Sequence, residues 1–129
     1  MPEGEKKNDI RTYRDLLLWQ KAMDVAERVY QATGPFEDRE RYGLVAQMRR
    51  AAVSVASNVA EGFGRGRKAE FRRYLEMARG SLFELQTQAE LARRLGWLKG
   101  NMLTEMREDT QEVDRLLSGL KRSVKRRPE

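Results

Sequence analysis

The sequence predicts an all-α fold, an antiparallel up-down-up-down bundle of four helices. Three observations lead to this prediction: the 129 residues suffice for one domain, glycines and prolines divide the chain into four long segments, and apolar residues recur in every segment at steps of three and four. Such heptad spacing is typical of helices that pack side by side, and short connections force neighbouring helices to run antiparallel.

The first two helices are predicted over residues 15–32 and 38–62. Gly34 and Pro35 separate them, because this pair interrupts a helical pattern. The apolar positions at helical spacing are Leu18, Ala22, Val25 and Val29 in the first segment and Val45, Met48, Ala52, Val55 and Val59 in the second.

The other two helices are predicted over residues 67–95 and 101–124. A run of three glycines precedes the third helix, and two further glycines precede the fourth. The apolar positions are Phe71, Leu75, Ala78, Leu82, Leu85, Ala89 and Ala92 in the third segment and Leu103, Met106, Val113, Leu117, Leu120 and Val124 in the fourth, where Thr110 fills the remaining heptad place.

The domain organisation follows from these segments. We expect a four-helix bundle domain over residues 13–124. A flexible basic arm, residues 1–12, should precede it, and a basic tail, residues 125–129, should follow it.

Composition limits the possible classes of function. The sequence has no cysteine and no histidine, which excludes disulfides, thiol nucleophiles, histidine-based acid–base catalysis and most transition-metal sites. We therefore expect a protein that is not an enzyme and uses neither a cofactor nor a metal. No apolar run is long enough to span a membrane and the N-terminus lacks a secretory signal, so the expected location is the cytoplasm. The net charge of +6 favours anionic partners.

Two helices carry more apolar surface than a bundle seam requires. Leu16, Leu17 and Trp19 point around more than half of the first helix, and Val53 widens the apolar face of the second. We expect these four residues to contact another copy of the chain in a homo-oligomer.

Small residues occupy facing positions on the second and third helices. A glycine inside a helix costs about 1 kcal/mol relative to alanine, so Gly80 indicates a close approach between backbones. Tight packing within the bundle is the favoured interpretation, and a subunit contact is the alternative. The facing positions are Ala51, Ala52 and Ser54 on the second helix and Ala78, Gly80 and Ser81 on the third.

The helices carry a set of motifs that resembles one known family. In chain order the motifs are Tyr13-Arg14-Asp15-Leu16, Trp19-Gln20-Lys21-Ala22, Tyr42-Gly43-Leu44, Gln47-Met48-Arg49-Arg50-Ala51, Ser54, Asn58-Val59-Ala60-Glu61-Gly62, Ala78-Arg79-Gly80-Ser81 and Glu84-Leu85. They resemble the four-helix-bundle proteins encoded in intervening sequences of bacterial 23S ribosomal RNA genes. The resemblance implies a homopentamer with a basic surface. It also implies kinship with the accessory variability determinant of diversity-generating retroelements, which associates with a reverse transcriptase and with nucleic acid.

Basic residues are concentrated where the third helix begins and where the fourth ends. In an up-down-up-down bundle these points lie at one pole, together with the start of the first helix. Cations at a helix start oppose its dipole by about a few tenths of a kcal/mol each, which favours an external anion over an ordinary solvated face. Phe63 either stacks on a base or packs beneath the turn, and packing is favoured. The residues predicted to bind RNA or an RNA–DNA hybrid are Arg65, Arg67, Lys68, Arg72, Arg73, Lys121, Arg122, Lys125 and Arg126.

Four polar residues of the motif set adjoin the bundle seam, namely Asn58, Glu61, Ser81 and Glu84. A buried carboxylate is costly unless it is paired, so we expect these residues to cross-link helices, with arginines 49 and 50 as candidate partners. A ligand or catalytic site is the less favoured alternative.

The function predicted from these features is that of a non-enzymatic, oligomeric nucleic-acid-binding protein, an accessory factor for RNA or for a reverse transcriptase. The alternative is a protein–protein interaction scaffold whose charge only maintains solubility. An enzyme ranks third, and a deep pocket lined by Glu61 and Glu84 would favour it.

Overall fold

The structure, a computed structural model, describes residues 10–36 and 43–126 of the chain. Within these ranges it contains four α-helices and no strand. The helices are α1 (Leu17–Thr33), α2 (Leu44–Gly64), α3 (Lys68–Arg94) and α4 (Gly100–Arg126), and one turn of 3-10 helix (Tyr13–Asp15) precedes α1. Each helix packs against its two neighbours in the order α1–α2–α3–α4–α1. The all-α four-helix bundle predicted from the sequence is confirmed.

The helix bounds differ from the predicted ones mainly in α2 and α4. Gly43 precedes α2 with φ −104° and ψ −108°, so the described part of this helix begins at Leu44 and not at position 38. Residues 37–42 lie outside the described ranges, as do residues 1–9 of the predicted arm and 127–129 of the predicted tail. Arg126 ends α4, two residues beyond the predicted end.

The core consists of the apolar residues that the heptad spacing singled out. Met48, Leu75, Leu82, Leu85, Met106 and Leu117 are among its largest fully buried side chains, and Thr110 is buried with them. Three predicted core residues, Phe71, Leu103 and Leu120, are only half-buried and pack against the edge of the core. Burial of aliphatic side chains at about 1.5–3 kcal/mol each is the main term that stabilises such a bundle.

A capping box begins the turn of 3-10 helix that precedes α1. Asp15 accepts hydrogen bonds from the backbone N–H groups of Arg11 (2.8 Å) and Thr12 (3.1 Å), and these bonds hold the pKa of its carboxyl below the ordinary value. The Thr12 hydroxyl in turn accepts from the Arg14 N–H. The turn places the ring of Tyr13 edge-on against Trp19, with 5.0 Å between centroids.

Charged pairs connect α4 to both of its neighbours. Arg28 of α1 donates to Glu105 (2.6 Å) and to Asp109 (2.5 Å), and the bond to Asp109 is the main cause that raises the pKa of the guanidinium. Arg79 of α3 donates to Asp114 at 2.8 Å. These pairs are half-exposed, so they orient the helices more than they stabilise them.

The close approach between α2 and α3 occurs at Gly62, not at Gly80. A Cβ at position 62 would lie 2.5 Å from the Cβ of Tyr74 and 3.2 Å from Phe71, whereas a Cβ at position 80 would have no heavy atom within 4 Å. The prediction of tight packing at Gly80 within the bundle is therefore wrong, because Gly80 faces outward on α3. The subunit contact remains as its alternative.

We expect Gly62→Ala to destabilise the protein by about 1–3 kcal/mol, because the added methyl group would overlap the Cβ of Tyr74. Gly80→Ala is the matched control. It should stabilise the monomer by up to about 1 kcal/mol, because alanine is the better helix former and the added methyl group meets no atom. Chemical denaturation of both variants measures the difference. Equal effects at the two positions would contradict the assigned contact.

Glu90 is the most heavily paired carboxylate in the described part of the chain. It accepts hydrogen bonds from Arg93 (2.8 Å) and Arg94 (3.0 Å) of its own helix and from Arg107 of α4 (3.3 Å). The bonds from Arg93 and Arg94 lower the pKa of Glu90 from 4.5 to about 2.

A carboxyl with a lowered folded-state pKa stabilises the protein above its unfolded pKa of 4.5 and loses that effect as the pH falls toward 2. Glu90→Gln should therefore lower the melting temperature near neutral pH, and its difference from the parent should shrink between those two values. Glu108→Gln, an exposed change on α4, serves as control. Thermal unfolding across this pH window tests the prediction, and a difference that stays constant with pH would refute it.

Candidate nucleic-acid interface

Three distant parts of the chain meet at one end of the bundle and enclose an open groove of about 560 Å³. They are the segment before α1, the turn between α2 and α3, and the last turns of α4, as the predicted topology requires. We call this end the basic pole and the depression the pole groove. Its lining residues are Ile10, Leu16, Gly62, Phe63, Gly66, Arg67, Lys68, Phe71, Leu120, Ser123 and Val124.

The turn between α2 and α3 is short and open. The N–H of Arg65 closes α2 by donating to the Gly62 carbonyl at 3.2 Å, and Gly66 then reverses the chain with φ +77°, a conformation that favours glycine. Arg67 is the extended N-cap of α3, and it provides no side-chain cap for the first N–H groups of the helix. These groups give the start of α3 a partial positive charge.

Two arginines predicted to bind nucleic acid are held by partners within the chain. Arg65 donates to Glu61 at 3.0 Å and to the Tyr74 hydroxyl at 2.7 Å, and Arg73 donates to Glu70 at 3.1 Å. Both guanidinium groups lie near the Tyr74 ring, 5.2 and 4.8 Å from its centroid. The hydrogen bonds to Glu61 and Glu70 are the main causes that raise the two arginine pKa values.

The other cations of the pole differ in their pairing. Lys121 lies 3.4 Å from Glu76 of α3, an exposed contact of small energy. Arg67, Lys68, Arg72 and Arg122 form no salt bridge with another residue in the described ranges. The backbones of Lys125 and Arg126 belong to α4, and their side chains lie outside the described part.

The polar residues beside the seam form two separate groups between α2 and α3. The hydroxyls of Ser54 and Ser81 are hydrogen-bonded at 2.9 Å, and the Asn58 amide donates to the Ser54 carbonyl at 2.9 Å. Glu61 lies instead beside Arg65 and Tyr74 near the pole.

The expectation that the motif carboxylates are buried is wrong. Glu61 and Glu84 are both exposed, because their positions on α2 and α3 face away from the core. Arg49, the predicted carboxylate partner, donates to the Thr33 hydroxyl of α1 at 3.0 Å. Neither glutamate lines the pole groove.

A second open groove, of about 620 Å³, runs between α1 and α2. Trp19, Met23, Tyr30 and Val53 line it, and Val53 is 43% exposed. Of the four residues predicted to contact another copy, only Trp19 and Val53 lie here. Leu17 is exposed about 200° around the α1 axis from Trp19. Leu16 is buried in the core of its own chain at 6% exposure, so the prediction that it contacts another copy is wrong.

No three acidic side chains in the described ranges lie close enough together to hold a metal ion. None of α1–α4 combines the length and apolar character that crossing a membrane requires.

Comparison with known proteins agrees with the resemblance of the motifs. The model of a family described as 23S rRNA-intervening sequence protein matches residues 14–119. Among solved structures, the chain is similar to a protein with unknown function from the S23 ribosomal protein family of Bacteroides thetaiotaomicron. The TM-score is 0.75 at 20% identity, and the match covers 82% of this chain and 99% of that one. Such an identity shows a shared fold alone. No curated protein matches the sequence.

Proposed function

Because the chain belongs to the 23S rRNA-intervening sequence protein family, we propose that it is a non-enzymatic, oligomeric protein that binds RNA or an RNA–DNA hybrid through its basic pole. The observation that carries the proposal is the set of three cations, Arg67, Lys68 and Arg72, without a salt bridge to any described residue. Phosphate groups are the anions that such a cluster fits best.

The position of these cations supports an external partner. They occupy the first two turns of α3, where each opposes the helix dipole by about a few tenths of a kcal/mol. Glu70 pairs with Arg73 on the same helix, and Glu61 pairs with Arg65 at the end of α2. Arg67, Lys68 and Arg72 have no such carboxylate among the described residues. A bound phosphate would supply the missing negative charge.

The predicted mode of binding is electrostatic and nearly independent of nucleic-acid sequence. No recognised base-reading module is present in the described helices, and the cations lie on a helix start and a turn. A homopentamer would repeat the cluster five times, so that weak contacts act together through effective concentration. The finer proposal is an accessory role beside a reverse transcriptase of the diversity-generating retroelement type, in the cytoplasm.

The triple variant Arg67→Gln, Lys68→Gln and Arg72→Gln should weaken binding to structured RNA. Each phosphate contact contributes about −0.7 to −0.9 to the slope of log K against log salt, so the slope should become about 2 to 3 less negative. The control is Lys21→Gln, Arg50→Gln and Lys99→Gln, three exposed changes outside the pole groove that remove the same charge. Fluorescence anisotropy across a salt series measures both. If the two triple variants bind RNA equally well, the affinity depends on the net charge of the protein and not on the basic pole, and the proposed site is wrong.

The α1–α2 groove favours self-association as a second activity. Self-association would also be expected of the alternative function, a protein–protein interaction scaffold. Trp19, Met23 and Val53 expose apolar surface that a monomer leaves in water, and apolar patches of this kind are typical of subunit contacts. Gly80 and the exposed Met77 offer an apolar surface on a different helix. Two unlike surfaces fit a heterologous contact, the kind from which closed rings are built.

Val53→Asp should dissociate the assembly, because a carboxylate in an apolar contact loses its hydration without gaining a partner. Leu95→Asp, a change of similar exposure just after α3, should leave the assembly intact. Native mass spectrometry reports whether each variant forms multiples of 15.0 kDa, with five copies expected for the parent. A parent that is monomeric at micromolar concentration would refute the proposed self-association.

A further inference from the structure

The pole groove combines aromatic and cationic groups in one depression. Phe63 and Phe71 both line it, packed edge to face with 5.9 Å between their centroids, and both are only half-buried. Arg67 and Lys68 line the same groove. The volume of about 560 Å³ falls within the roughly 300–1,000 Å³ typical of small-molecule sites.

The glycines of the turn differ in their surroundings. A Cβ at Gly64 or at Gly66 would have no heavy atom within 4 Å, so neither position packs against the rings. Gly62 acts differently, because its missing side chain lets Phe71 and Tyr74 approach α2. The turn therefore packs the two phenylalanines closely against the bundle but leaves part of each exposed.

A nucleotide with an unpaired base has the chemistry that this groove complements. Its base offers an apolar face for an aromatic ring. Its phosphate offers an anionic partner for Arg67 and Lys68, which form no salt bridge with any described residue. A duplex offers phosphates but no free base face, since its bases are stacked on one another inside the helix. Stacking on aromatic rings tolerates any base, in keeping with binding that is independent of sequence.

We infer that the pole groove binds an unpaired nucleotide of RNA, with the base against Phe63 and Phe71 and the adjoining phosphate at Arg67 and Lys68. The inference rests on the proposed nucleic-acid binding and extends it. It assigns the basic pole to single-stranded segments, loops and ends, and it gives Phe63 and Phe71 a role in binding besides their packing beneath the turn.

The experiment compares a 12-nucleotide single-stranded RNA with a duplex of the same length, using the double variant Phe63→Leu and Phe71→Leu. Leucine retains apolar packing but removes the ring. The parent should prefer the single strand, and the variant should lose roughly tenfold or more of its affinity for it while binding the duplex within about twofold of the parent. Phe83→Leu, an exposed phenylalanine farther along α3, is the control and should change neither affinity.

A second measurement requires no variant and so does not depend on its folding. An abasic strand with the same number of phosphates should bind the parent roughly tenfold more weakly than the base-containing strand. Equal binding of the two strands would overturn the inference, as would unchanged single-strand affinity in the folded leucine variant. If the Arg67, Lys68 and Arg72 variant alone loses affinity for both RNAs, phosphate binding stands without the base site. If that variant binds both RNAs as the parent does, the proposed function fails as well.

Discussion

At the basic pole, α2 and α3 approach so closely that a side chain at position 62 would overlap the Cβ of Tyr74. This contact determines the geometry around it. Tyr74 is buried against α2, and its hydroxyl therefore lies where Arg65 and Glu61 can both reach it. The same approach places Phe71 beside Phe63, so the aromatic pair and the bond from Arg65 to the Tyr74 hydroxyl both depend on the absence of one side chain.

The cations of the pole form two groups that differ in their pairing. Arg65 and Arg73 lie on either side of Tyr74, each with a glutamate one helical turn away, so their charge is largely neutralised within the chain. Arg67 and Lys68 follow the turn on the side of the groove, where no glutamate of the described residues pairs with them. Under the proposed function, phosphate recognition would depend less on the number of basic residues than on which of them have an internal carboxylate.

The sequence alone was sufficient for the bundle because helical spacing encodes burial directly: Leu75, Leu82 and Leu85 recur at the seam and are all fully buried. The meeting of the chain start, the turn and the end of α4 followed from topology. The roles of Gly62 and Gly80 did not, since both are glycines within helices and only the direction each faces distinguishes them. Likewise the Arg65–Glu61 pair has the i, i+4 spacing that sequence can reveal, but the bond to Tyr74 requires the folded α2–α3 contact.

The two candidate surfaces share no lining residue, and this has a consequence for function. The α1–α2 groove extends along both helices from Trp19 and Ala60 near the pole to Tyr30 and Val53, whereas the pole groove lies at the ends of α2 and α4 and the start of α3. Copies joined through the sides of the bundle would leave each pole exposed. Assembly would then multiply the phosphate contacts without covering them. If the pole binds RNA as proposed, its affinity for a long RNA should depend on the α1–α2 surface, because that surface joins the copies without itself contacting the RNA.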